Sequence, residues 1–257
     1  MKKRITQREL SERRVAGGRA ISLTFRADDG PTVATPVPSL LRLPDGTDRV
    51  PAALLLHGYA SRKEDMADSV GDALLPLGIA SLSIDLPLHG DRADPFELRS
   101  VRSPFELTER WRNAITEAQL ALRFLAARRE IDRDRLSLVG YSLGAYLSLA
   151  VAERDRAPRA VVLAAGGDLP SFPFAALIRS VADPIAGVRA LQGRPLLMVH
   201  GRQDRTIPPT LAERLFAAAG EPKAIQWWDA GHHLPIEAVR AAARWLAAAL
   251  RSEASPR

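Results

Sequence analysis

From residue 52 onward, short apolar runs alternate with stretches of helical spacing, and this alternation limits the folds open to the chain. Ala52–His57 ("AALLLH"), Ile79–Asp85 ("IASLSID"), Arg135–Gly140 ("RLSLVG"), Arg159–Ala165 ("RAVVLAA"), Arg194–Gly201 ("RPLLMVHG") and Lys223–Trp228 read as strands. Runs this short and this apolar suit strands buried on both faces. Between them, residues 64–77, 104–129, 143–153, 209–219 and 236–250 read as helices. In the longest, Trp111, Ile115, Ala118, Leu122 and Leu125 recur at helical intervals. Strands alternating with helices give a mostly parallel sheet covered on both faces. At the start, Arg19–Ala27 and Val33–Leu43 read as two strands around "DDGP", an antiparallel hairpin at the sheet edge. Pro36 and Pro38 suit such an edge.

At 257 residues and 46% hydrophobic, the chain can bury one large core. We expect a single domain over residues 19–251, preceded by a basic arm (1–18) and followed by a short tail (252–257). Residues 1–20 hold seven Lys or Arg against two Glu, so this end accounts for five of the six net positive charges. The rest of the chain is close to neutral, which argues against a nucleic-acid partner, since such a domain carries its charge on the folded body. Of the 36 basic residues only Lys2, Lys3, Lys63 and Lys223 are lysine, here read as compositional bias. There is no cysteine, which excludes disulfides, thiolate metal sites and cysteine nucleophiles. No window has the length of a membrane span, and the basic N-terminus lacks a signal peptide's apolar middle. A cytoplasmic location is expected.

Two connections exceed simple turns, 86–103 and 166–193. Both follow strand C-termini, where open parallel sheets bind ligands, and both are expected to act as small lid loops. Phe96, Phe105, Phe172 and Phe174 lie in or next to them.

"GYSLG" (Gly140–Gly144) interrupts an apolar strand and leads straight into a helix. That setting is the one a nucleophile elbow requires: a strained serine, Ser142, with glycines two residues to either side to avoid Cβ clashes. A serine hydroxyl needs a base. Of the five histidines, His57 and His200 end strands and read as turn supports. His232, in "DAGHHLP", follows the last sheet strand on the side facing the elbow and is the candidate base, with His233 as the alternative. Asp204, in "HGRQDRTIPP", lies between serine and histidine in the chain and is the candidate acid, with Asp168 as the alternative. Backbone N–H groups of Leu143 and Tyr59 are the candidate oxyanion donors. Tyr59, Tyr141, Phe172 and Phe174 are the candidate substrate contacts. His89, in "DLPLHGDR", reads as a loop brace, and Arg92 as a possible partner for a substrate carboxylate.

The ordered set "LLLHGYAS", "DLPLHGDR", "GYSLG", "HGRQDRTIP" and "AGHH" resembles the α/β-hydrolase superfamily over residues 20–250. Within it the set is most similar to small bacterial serine esterases near the dienelactone-hydrolase and prolyl-oligopeptidase-like branches. The resemblance implies an eight-stranded, mostly parallel sheet with an antiparallel N-terminal edge, no cofactor, and acyl–serine chemistry on a small-molecule ester. Dienelactone hydrolases use a cysteine nucleophile, which this chain lacks. Peptidase, thioesterase or acyltransferase activity, and a non-catalytic binding protein of the same fold, are the alternatives. Acyl length, alcohol and oligomeric state are not encoded in these motifs.

Overall fold

A computed structural model describes residues 5–27, 36–46, 49–92, 103–171 and 175–251. Among these, nine strands form one sheet: β1 (Ile5–Val15), β2 (Gly18–Ala27), β3 (Val37–Pro44), β4 (Val50–Leu56), β5 (Ala80–Ile84), β6 (Ile131–Tyr141), β7 (Pro158–Ala164), β8 (Leu196–Gly201) and β9 (Lys223–Trp228). Their order is β1-β2-β3-β5-β4-β6-β7-β8-β9. The pairs β1–β2, β2–β3 and β3–β5 are antiparallel, and every pair from β5 to β9 is parallel.

The helices follow the expected intervals except for two short ones, which lie in the connection 166–193 expected to be a loop. Residues 63–77 form one helical stretch made of α1 (Lys63–Met66), a π turn (Ala67–Gly71), α2 (Asp72–Leu74) and a 3-10 turn (Leu75–Leu77). Then come α3 (Pro104–Ala127), α4 (Leu143–Arg154), α5 (Ala175–Arg179), α6 (Pro184–Arg189), α7 (Pro209–Ala218) and α8 (Ile236–Arg251). Local chemistry sets several starts. Ser103 caps α3 by accepting from Glu106 N, and Asp183 caps α6 by accepting from Ile185 N, each followed by a proline that fits the first helical position.

The sheet divides the core in two. On one face α3, α4, α6 and α7 pack against Leu54, Leu82, Leu138 and Val161, among others. On the other, the 63–77 stretch and α8 pack against Leu55, Val139, Val162 and Val199. Alternate residues of β4 thus serve opposite cores, the period-2 geometry of a strand buried on both sides. Among the described residues no helix is long and apolar enough to cross a membrane.

The N-terminal region departs from expectation. Ile5–Val15 does not stand off the domain as an arm. It is β1, hydrogen-bonded along β2 with a bulge between Glu9 and Ser11, and it raises the strand count from eight to nine. Most of its side chains are exposed, so no apolar alternation marks it in sequence; backbone pairing with β2, the Ile5 contact with the core and the Arg14–Asp45 ion pair at 2.6 Å hold it to the sheet. As a result β2 is interior rather than at the edge, and β3 is interior as well, between β2 and β5. Pro38 is tolerated because the β3–β5 ladder begins one residue later, at Ser39, and only its carbonyl is used, by Asp85 N.

Candidate active site

The C-terminal ends of β4, β6, β8 and β9 bring the candidate residues together. β6 ends at Tyr141, and Ser142 takes φ +50° and ψ −110° before α4 begins at Leu143. A non-glycine residue held in so sparse a region needs surroundings that over-determine it. They are crowded. A Cβ on Gly144 would lie 1.9 Å from Leu56 O, and one on Gly140 would lie 2.2 Å from Gly144 O. The two glycines are therefore required by close packing of β4, β6 and α4 around the serine.

Ser142 Oγ lies 3.0 Å from His232 Nε2. On the other side of the ring, His232 Nδ1 lies 2.8 Å from Asp204 Oδ2. Asp204 is buried, and its second oxygen accepts from Thr206 N at 2.8 Å and Ile207 N at 2.9 Å. A carboxylate with these partners accepts a hydrogen bond from Nδ1–H, leaving Nε2 as the acceptor toward the serine hydroxyl. The alternatives are engaged elsewhere. His233 stacks edge-on to His232 with ring centroids 6.1 Å apart. Asp168 accepts from Leu169 N at 2.8 Å and Arg179 Nη2 at 2.7 Å.

Tyr59 and Leu143 flank the serine. Leu143 follows it as the first residue of α4. Gly58, just before Tyr59, comes so close that a Cβ there would lie 3.5 Å from Ser142 Cβ. The Tyr59 ring is half exposed and meets His89 edge-on, with centroids 5.7 Å apart. Tyr141, expected as a substrate contact, directs its hydroxyl to the loop that carries His232. It donates to His232 O and accepts from Leu234 N at 3.3 Å. Phe96, Phe172 and Phe174 lie outside the described residues. Phe105 sits in the first turn of α3, exposed.

The remaining histidines brace turns. His57 Nδ1 donates to Gly58 O at 2.7 Å and its Nε2 accepts from Leu86 N at 3.1 Å. Burial pushes its pKa down to about 4, so the ring is neutral and keeps both bonds. His200 donates to Ile207 O at 2.9 Å and His89 to Pro87 O at 2.8 Å, and burial lowers both pKa values. Arg92, read as a partner for a substrate carboxylate, is paired within the fold. Its guanidinium grips Glu117 with both terminal nitrogens, one at 2.9 Å.

One contributor went unread in the sequence. Buried Lys63 joins the loop after β4 to the loop after β5. Its N–H donates to Asp85 Oδ1 at 2.8 Å, and its ammonium reaches Asp85 at 2.9 Å, Asp91 at 2.7 Å and Glu64 at 2.9 Å. Burial alone would lower its pKa, but these carboxylates outweigh it and raise the value, so the lysine stays charged. The signal was its rarity: a lone lysine between residues 4 and 222 of an arginine-rich chain.

A strained serine on a strand-to-helix turn, at the C-terminal edge of a parallel sheet and bonded to a histidine, defines a class of fold rather than a single protein. A model of the alpha/beta hydrolase family matches residues 53–192. The chain belongs to that family. An uncharacterised protein of Mycobacterium tuberculosis strain H37Rv is 29% identical over 181 residues, covering 67% of this chain and 59% of the relative. The uncharacterised protein YfhR of Escherichia coli K12 is 29% identical over 134 residues, covering 47% of this chain and 45% of the relative. The chain thus spans about three fifths or less of the curated relatives it matches. Among solved structures, the acetyl xylan esterase from Paenibacillus sp. R4 superposes with a TM-score of 0.77 at 18% identity, over 96% of this chain and 89% of that one. A cold-adapted esterase from an Arctic intertidal metagenomic library gives 0.74 at 19% identity, over 93% of this chain and 97% of that one. At these identities the likeness shows a shared fold.

Proposed function

We propose that the protein is a serine hydrolase of carboxylic esters, working through an acyl-enzyme on Ser142. The observation that carries this reading is the continuous chain from Ser142 Oγ through the His232 imidazole to the buried Asp204 carboxylate. Ser142 Oγ attacks the ester carbonyl carbon while His232 Nε2 takes the hydroxyl proton. The carbonyl oxygen becomes an oxyanion facing the N–H groups of Tyr59 and Leu143. Collapse breaks the bond to the alcohol oxygen, which leaves with the proton from His232. Water then attacks the acyl-enzyme by the same route, releasing the acid and restoring Ser142. Asp204 stays ionised and stabilises the imidazolium. The half-exposed Tyr59 ring beside the serine suits contact with a short to medium acyl chain. The esterase names among the structural neighbours agree with this chemistry.

Replacing Ser142 with alanine removes the nucleophile and leaves the fold. We expect Ser142→Ala to lose hydrolysis of short p-nitrophenyl esters and labelling by a fluorophosphonate, with an unchanged circular dichroism spectrum. A folded Ser142→Ala variant that turns over at the wild-type rate would overturn the assignment. Wild-type protein that takes no fluorophosphonate on Ser142 would favour a binding role over catalysis. Rates on matched ester, thioester and peptide substrates separate the esterase from the other hydrolases of this fold.

A further inference from the structure

The residue before the nucleophile has a role that the elbow motif does not demand. Tyr141 is the last residue of β6, joined to Ser142 by one peptide bond, yet its hydroxyl reaches the loop between β9 and α8. There it donates to the carbonyl of His232 and accepts from the N–H of Leu234, using both functions of the phenol on the two sides of one short segment. Its ring packs edge-on to the His232 ring, with centroids 5.9 Å apart.

This segment needs such a hold. Its N-terminal half is fixed from β8: Arg202 N donates to Trp228 O at 2.8 Å and Gln203 N to Ala230 O at 2.9 Å, while Gly201 packs under Gly231. Its C-terminal half lies over a small apolar cavity of about 30 Å³. Tyr141 and Leu234 border that cavity, with Met66, Val162 and Ala242 on its other sides. Side chains beside a void have fewer partner atoms to fix them. Asp204 holds Nδ1 of His232 and Ser142 Oγ meets Nε2, but neither bond fixes the backbone that carries the ring. Fixing that backbone supplies the remaining constraint.

We propose that Tyr141 is a positioning residue for His232: its hydroxyl clamps the 232–234 backbone to the nucleophile's own strand and so keeps Nε2 on Ser142 Oγ. The inference rests on the ester-hydrolase reading above. Serine and base then move together, because one residue anchors both. Burial raises the Tyr141 pKa, so the phenol stays protonated and remains a donor.

Tyr141→Phe keeps the ring and deletes the clamp. The expected result is a folded enzyme with kcat lower by about tenfold, KM within twofold of wild type, and slower fluorophosphonate labelling that still reaches completion on Ser142. A base displaced by a fraction of an ångström accounts for a loss of this order. In a His232→Ala background the same substitution should cost nothing further, because the group it positions is gone. An equal loss in both backgrounds would assign Tyr141 to general packing and overturn the proposal. So would an unchanged kcat, or a raised KM with kcat retained, which would make Tyr141 a substrate contact. Wild-type protein that takes no label on Ser142 would overturn this inference together with the reading it rests on. Normal wild-type labelling with an unaffected Tyr141→Phe variant would overturn this inference alone.

Discussion

Asp204 divides its two oxygens between different tasks. One accepts the Thr206 and Ile207 amides, which hold the carboxylate in place, and the other accepts from His232 Nδ1. Asp204→Asn keeps the size and the backbone bonds, but its amide can present N–H to Nδ1. The imidazole would then carry its proton on Nε2, facing the serine, where it cannot act as base. If the proposed chemistry holds, we expect kcat on p-nitrophenyl esters to fall by a factor on the order of 10⁴, as tautomer reversal does in the serine proteases, with little change in melting temperature. Steady-state kinetics and a thermal melt check both halves. At this scale the motif "GYSLG" was fully legible, because the steric demand for its glycines is local: the Cβ clashes involve the adjoining strand and helix. The role of Tyr141 was not legible. The same five residues carry no sign of a partner 91 and 93 residues away.

At the scale of elements, the sheet and most of its helices follow from periodicity, and among the strands and α-helices from β4 onward only the short α5 and α6, inside the connection 166–193 read as a loop, had no expected interval. The failure was β1. Its sequence, "ITQRELSERRV", is polar on both faces, so neither alternation nor charge distinguishes it from a solvated arm. Strand pairing by backbone amides requires no particular side chain, and a bulge with charged side chains suits an edge strand. The cavity between the sheet and α8 gives a test at the same scale. Val162 on β7 is buried and borders it. Val162→Ile adds one methylene there, and the space is about that of one such group. We expect a gain of up to about 1 kcal/mol in unfolding free energy, read from urea denaturation at an unchanged m-value.

For the whole molecule, three buried histidines link stability to pH. An unfolded chain protonates histidine near pH 6.5, whereas folded His57 does so only near pH 4. Between these values the unfolded state binds the extra proton, so stability falls as the pH drops from about 6.5 to about 4, and His57 adds no further loss below that. The two values differ by an amount worth about 3 kcal/mol. His89 and His200 shift in the same direction for the same reason, burial, and add to the trend. Urea melts between pH 4 and 7 should therefore show unfolding free energy decreasing steadily toward acid. A flat profile across that window would mean these rings are accessible to protons in the native state.

The sequence by itself determined the layered architecture, the strand-to-helix turn at Ser142 and the loops that carry Asp204 and His232. Each of these depends on neighbours in the chain: apolar spacing, a glycine two residues from a serine, a turn after a strand. Only the tertiary structure decided which side chains meet. It joined His232 to Ser142 across 90 residues and to Asp204 across 28, gave Asp168 to Arg179, and bonded the Tyr141 hydroxyl to the His232 loop. It also buried Lys63 among three carboxylates and added β1 to the sheet. A hydrogen bond between distant residues is set by the packing of the elements that carry them, and local spacing holds no record of that distance.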